Sequence, residues 1–211
     1  THGIDPNGAP FDSGAAKEHA CTHEDFLIAI ENGWPLLCHP TVMMRRDVLA
    51  SVGGYHRAFR YCEDYDLWLR LASVTRLASI PERLLQYRFN DDQVSRRHAV
   101  EQRIGAAVSY LAYQERQAGR PDPTEGLDSL PAIADLDDLF QRKGVAAKVR
   151  AQVAPSLLYS RWALDDEGLN LIDQHIRSGG DRSGMWRTAI RLLRWGRPRQ
   201  ALRLATTLMR K

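Results

Sequence analysis

The chain has 211 residues, 44% of them hydrophobic and 26% charged, with a formal net charge of +3. This length carries one sizeable core, or a core with a smaller accessory unit, and the balance is that of a globular rather than a disordered protein. No apolar run reaches the roughly 18 to 20 residues that would cross a bilayer, and Cys21, Cys38 and Cys62, odd in number and widely spaced, argue against a disulfide framework and for a reducing, cytoplasmic setting.

The opening Thr-His-Gly-Ile-Asp-Pro-Asn-Gly has neither an initiator Met nor the basic and apolar regions of a signal peptide, so a fragment or a processed chain is expected. Residues 1–20 are turn-rich, and Asp5-Pro6-Asn7-Gly8 reads as a turn between two short strands or extended segments. Thr22 is expected to cap a short helix, with Asp25 as its capping-box partner. Phe26, Leu27, Ala29 and Ile30 anchor that helix, and Asn32-Gly33 stops it. Leu36 to Arg45 reads as a buried strand interrupted by Pro40, and Arg46 to Val52 as a short helix closed by Gly53-Gly54.

The stretch Cys62 to Ala72 is expected to be a helix starting near Glu63. Tyr65, Leu67, Trp68, Leu69, Leu71 and Ala72 leave only a narrow polar stripe of Glu63, Asp66, Arg70 and Ser73, the pattern of a core helix. Glu63 and Asp64 occupy its first turn, where the helix dipole favours anions. They read either as ordinary helix-start acids or as carboxylates planted at the floor of a cleft. Asp66 and Arg70, four residues apart, read as a structural pair, and Trp68 in the second turn as core. Thr75 to Ile80 and Arg83 to Phe89 read as two strands around Pro81-Glu82. Short strands alternating with short helices indicate an α/β layered architecture.

From Ser95 the character changes. Residues 98–118 form a long helical pattern, residues 119–130 a linker rich in Pro, Asp and Gly, and no strand is expected after it. Helices are expected near 132–143, 145–164 with a break at Pro155, 168–178, 184–195 and 198–210. Gly196 and Pro198 give a stop and a fresh start, so the last two helices can form a hairpin. The organisation is therefore 1–97, an α/β unit; 98–130, a long helix and linker; and 131–211, a helical extension with a basic tail.

Between Asp181 and Lys211 there are nine Lys or Arg and one acid, Asp181, which leaves the remainder of the chain acidic. Arg187, Arg191 and Arg194 share one face of a helix whose other face carries Trp186, Ala189, Ile190 and Leu193. The tail reads as a packed helix with a solvated Arg face, or as a helix lying on an anionic membrane through residues 184–211. Nucleic acid is disfavoured, because no aromatic or Gly-rich readout element accompanies the charge. His19, Cys21, His23, Cys38, His39 and Cys62 fit none of the paired spacings of a zinc site. His39 beside Pro40 lines a cleft or caps a strand.

Four blocks in order carry a resemblance: His39 to Arg46, Val52-Gly53-Gly54-Tyr55, Glu63 to Arg70, and Ile80 to Arg88. Together they resemble the second half of a family 2 glycosyltransferase of the GT-A (nucleotide-diphospho-sugar transferase) fold, over about residues 1–97. The helical remainder carries no such resemblance. The resemblance implies an inverting enzyme that moves a sugar from a nucleotide-sugar donor to a hydroxyl of a glycan or lipid-linked acceptor. That activity belongs to polysaccharide or other glycan synthesis, in the cytoplasm or peripherally on the inner face of a bacterial membrane. It assigns Asp64 as the carboxylate that takes the acceptor proton and Glu63 as its neighbour shaping the site or holding the acceptor. Gly53-Gly54-Tyr55 becomes a loop lining the acceptor side. His39, Arg45, Tyr87 and Arg88 become substrate-facing or phosphate-facing candidates. A divalent cation, Mg or Mn, is implied at the leaving diphosphate. The family's Asp-X-Asp motif has no counterpart here, since Asp5 and Asp12 have the wrong spacing. Asn90 stands where family members often carry a late metal-ligating His. The chain by itself is therefore expected to be inactive; the alternative is a non-catalytic remnant that binds a membrane or protein through its tail.

Overall fold

The computed structural model describes residues 1–10, 20–90 and 93–209. In chain order it contains β1 (His2–Ile4), α1 (His23–Glu31), a 3-10 turn (His39–Thr41), α2 (Arg46–Ser51), α3 (Glu63–Ala72), β2 (Gln86–Arg88) and α4 (Val94–Arg97). Then come α5 (Ala99–Gln117), a 3-10 turn (Ile133–Asp135), α6 (Leu136–Leu139), α7 (Val145–Leu157), α8 (Asp166–Arg177), α9 (Met185–Arg194) and α10 (Pro198–Met209).

The short helices start and stop where local chemistry tells them to. Thr22 Oγ1 accepts from Asp25 N–H, and the Asp25 carboxylate accepts from Thr22 N–H, a complete capping box on α1. Phe26, Ala29 and Ile30 are its buried side, and Gly33 past its end takes a φ of 64°. Asp5 Oδ1 accepts from Asn7 and Ala9 N–H, closing the turn that brings Ile4 and Pro10 into an antiparallel bridge.

The strand expectations are largely replaced by extended backbone and turns. Among the described residues the sheet has two strands, β1 and β2, parallel and in register His2 to Gln86, Gly3 to Tyr87 and Ile4 to Arg88. The 36–45 stretch forms no strand. Pro40 has no N–H to give a ladder, and Thr41 turns back, donating from N and Oγ1 to Cys38 O at 2.9 and 2.7 Å. The 75–80 stretch bonds to the entry of α1 instead: Leu77 N–H donates to His23 Nδ1 and Ser79 N–H to Cys21 O. Of 83–89 only Gln86–Arg88 is strand. Asp12 and His19 lie outside the described residues.

Two apolar clusters result, with α3 between them. Leu67, Trp68, Leu69, Leu71 and Ala72 pack with Phe26, Ala29, Ile30, Leu36 and Leu77. The second cluster joins α5 and α7 to α10, and it also takes Phe59 and Cys62 from the approach to α3. Pro155 sits inside α7, two residues before its end at Leu157, so the lost N–H bond falls in the last turn and residues 158–164 leave the helix. The 132–143 segment resolves into a 3-10 turn and α6, ended by Gln141 with φ 47°. The α9–α10 hairpin forms as the Gly196 and Pro198 spacing predicts, with Gly196 at φ 72°.

Candidate active site at the mouth of the acidic helix

Helix α3 begins at Glu63 with no side chain capping it, so its first turn is furnished by acids alone. Asp66 is 1% exposed and does not face solvent. Its Oδ2 accepts from Arg70 Nε and Nη2 at 2.9 and 2.7 Å, and its Oδ1 accepts from Ser109 Oγ of α5 at 3.3 Å. Arg70 also donates through Nη1 to Val52 O at 2.6 Å. This chain of bonds ties the acidic helix to α5 on one side and to the glycine loop on the other. The pairing of Asp66 with Arg70 was legible as an i, i+4 spacing; its extension to Val52 and Ser109, 18 and 43 residues away, was not.

Glu63 and Asp64 are only half-buried. Asp64 Oδ1 accepts from Tyr65 N–H at 2.8 Å, which fixes the carboxylate plane. Among the described residues no protein donor engages Asp64 Oδ2. Glu63 Oε2 is buried with no hydrogen-bond partner, as is Trp68 Nε1. Burial, then the charges of Asp64, Glu63 and Asp66, push the Cys62 thiol far above its usual range, which keeps it protonated. Burial chiefly, with Tyr110 and Cys62, pushes Tyr65 up to about 12.

The 3-10 turn and the glycine loop meet at this mouth. His39 Nε2 and Tyr55 Oη hydrogen-bond at 2.9 Å, and the His39 ring packs edge-on to Trp68 at 6.0 Å. Burial chiefly, and to a smaller extent the Asp64 charge, raises the Cys38 thiol above its usual range. Gly53 and Gly54 take φ of 75° and 71°, and a Cβ on either would meet open space. The glycines are there for the left-handed backbone. Trp68 is core at 1% exposure, as its second-turn position predicts, but it also forms the base beneath His39.

Other sequence candidates stand apart. Arg88 Nη1 donates to Asp5 O and Pro6 O at 3.0 and 2.8 Å, holding the first turn of the chain. Tyr87 packs against Phe89. Among the described residues, no hydrogen bond, ion pair or ring contact joins Arg45, Tyr87 or Arg88 to Glu63 or Asp64. Asn90 is exposed. Among the described residues no group of three or more His, Cys, Asp or Glu side chains is placed to hold a metal ion. The donor set does not by itself fit a divalent cation.

Two features lay beyond sequence reading. Tyr61, just before α3, has φ 67°, a strained conformation for an aromatic residue. It is stacked on His98 at 3.7 Å and anchored by Gln102 Nε2 donating to its carbonyl at 2.8 Å. No Gly or Asn marks the position, so nothing local announces it. The second is a groove of about 650 Å³ beside the His39 turn, lined by Leu36, Val42, Met44, Trp68, Leu77 and Leu85 among others. Neither Glu63 nor Asp64 lines it.

A curated protein is 38% identical to this chain over 60 residues: the amylovoran biosynthesis glycosyltransferase AmsE of Erwinia amylovora. The similarity is to a glycosyltransferase. It covers 28% of this chain and 22% of that relative. No family model matches the chain, and no solved structure matches it. At the coarse level, the chain has a partial glycosyltransferase relative; among the described residues, no helix is long and apolar enough to cross a membrane.

Proposed function

We propose that the α3 mouth is the acceptor side of an inverting glycosyltransferase, with Asp64 as the general base. The observation that carries this reading is the Asp64 carboxylate itself: half-buried, held through Oδ1 by Tyr65 N–H, with no described protein donor on Oδ2. In the proposed reaction an acceptor hydroxyl gives its proton to Asp64 Oδ2 as its oxygen attacks the anomeric carbon of a nucleotide-sugar. The bond from that carbon to the diphosphate oxygen breaks on the opposite face, and the nucleoside diphosphate leaves with the electron pair. Glu63, half-buried beside Asp64, is the neighbour that shapes the acceptor side. The His39–Tyr55 pair and the open glycine loop wall the acceptor on its other side. The partial likeness to a glycosyltransferase named for amylovoran biosynthesis supports a glycan acceptor. A GT-A fold, family 2 membership and a divalent cation supplied from elsewhere are parts of the same proposal.

The test is nucleoside diphosphate release by the chain joined to a nucleotide-binding half that carries an Asp-X-Asp motif, offered a panel of nucleotide-sugars with bacterial glycan-lipid acceptors. Acceptor-dependent release is expected, lowered on the order of a thousandfold by Asp64→Asn, since a positioned base contributes about 10² to 10⁴. Release unaffected by Asp64→Asn would remove Asp64 from the reaction.

A further inference from the structure

Helix α9 divides into three sides. Met185, Thr188, Ala189 and Leu192 are buried against the rest of the helical bundle. Trp186, Ile190 and Leu193, spaced at i, i+4 and i+7, are 51%, 54% and 56% exposed and form a continuous apolar stripe along the helix. Arg187 and Arg194 follow beside that stripe, both exposed. Single exposed apolar side chains are ordinary, but an aligned stripe led by a Trp is not.

The arginines of this region fall into two sets. Arg191 is structural: it donates to Leu158 O at 2.9 Å and lies over the rings of Tyr159 and Trp195. Arg197 donates to Arg161 O, and Arg203 pairs with Asp173. Arg187, Arg194 and Arg199, by contrast, are exposed and make no hydrogen bond or ion pair among the described residues. No acid follows Asp181 in the sequence, so nothing on the hairpin neutralises them. Leu202 and Met209 on α10 are exposed as well, at 68% and 65%.

We infer that the α9 face is an interfacial docking surface for an anionic lipid bilayer. An apolar stripe has nothing to gain on a phosphate backbone of nucleic acid, and cations with no counter-charge repel a basic partner. A bilayer carrying anionic lipid satisfies both at once. The headgroups meet Arg187 and Arg194, and Trp186, Ile190 and Leu193 enter the headgroup–acyl boundary, where Trp is favoured. The Arg191 contacts hold the helix rigid on the bundle, so the stripe is presented without prior ordering. This surface stands apart from the α3 mouth and does not depend on the chemistry proposed there.

The test is flotation of the full chain with phosphatidylcholine vesicles, and with vesicles in which about a third of the lipid is phosphatidylglycerol. Binding is expected only to the anionic vesicles, falling steeply between about 0.1 and 0.5 M salt. Trp186→Ser with Ile190→Ser and Leu193→Ser should abolish flotation. Arg187→Glu with Arg194→Glu should weaken it by at least about twenty-fivefold, near fivefold per lost cation. All these positions are exposed, so circular dichroism and thermal melting should match the parent. Equal binding to neutral vesicles, no binding to either, or full binding by either variant would overturn the inference. So would sedimentation showing a dimer that the Ser variant breaks, which would give the stripe to a second copy.

Discussion

The region around α3 and the helical region from α5 to α10 are built on opposite plans. In the helical region, each helix buries one apolar side against its neighbours, and the polar contacts mostly trim the edges. Around α3 the backbone is extended or turning for most of its length, and the two strands are three residues each. Besides the apolar cluster on α3, polar bonds there join segments that form no sheet: Asp66 to Arg70, Arg70 to Val52 O, Ser109 to Asp66, Leu77 to His23. The lesson is that the site adds a few polar ties, two of them long-range, to the burial of α3, whereas the helical region rests on distributed burial.

The sharpest way to break that contrast is Asp66→Ala. It leaves Arg70, 12% exposed, without its carboxylate and Ser109 without its acceptor, so a loss of about 3 kcal/mol is expected. Urea unfolding measures it; a loss under about 1 kcal/mol would mean that burial alone positions α3. At the seam between the regions, a Cβ on Gly105 would meet Cys62 Sγ at 2.3 Å. Gly105→Ala should cost about 2 kcal/mol through that clash and speed labelling of Cys62 by thiol reagents. In the parent only exposed Cys21 should label readily, since Cys62 is buried and held protonated. Equal labelling of the two cysteines in the parent would show an open seam. The smallest expected effect lies at the rim, where Thr22→Ala removes the cap of α1 at about 1 kcal/mol. An unchanged melting temperature would show that the 75–80 segment bonded to His23 and Cys21, rather than the cap, holds α1.

These plans explain what the sequence revealed. Periodicity located α5 and the hairpin helices, because burial on one side of a helix writes itself into spacing, and the narrow polar stripe of α3 marked a core helix, in which Leu67, Trp68, Leu69 and Leu71 are buried. Capping chemistry located α1 to the residue. The 36–45 and 75–80 segments have the pattern of strands and form none, since apolar runs look alike whether their backbone bonds go to a ladder, to Cys38 or to His23. At the mouth, Glu63, Asp64, His39, Gly53, Gly54 and Tyr55 were named from sequence, and His39 and Tyr55 are joined directly. Arg88 was named as substrate-facing and is occupied by Asp5 and Pro6 carbonyls, a contact across more than 80 residues that no local pattern encodes. The Arg face of α9 was half right: Arg187 and Arg194 are free on the surface, whereas Arg191 is spent on Leu158, Tyr159 and Trp195.

The most direct measurement sets Asp64→Asn beside Asp66→Asn and records, for both, acceptor-dependent turnover with the nucleotide-binding half joined and the melting temperature of the chain. Asp64→Asn should lose about three orders of magnitude in turnover and melt with the parent, because its one described bond is to a neighbouring amide. Asp66→Asn should melt several degrees lower, through its weakened tie to Arg70. Turnover retained in Asp64→Asn, or a melting temperature that falls as far as in Asp66→Asn, would contradict the division of α3 into a base and a brace.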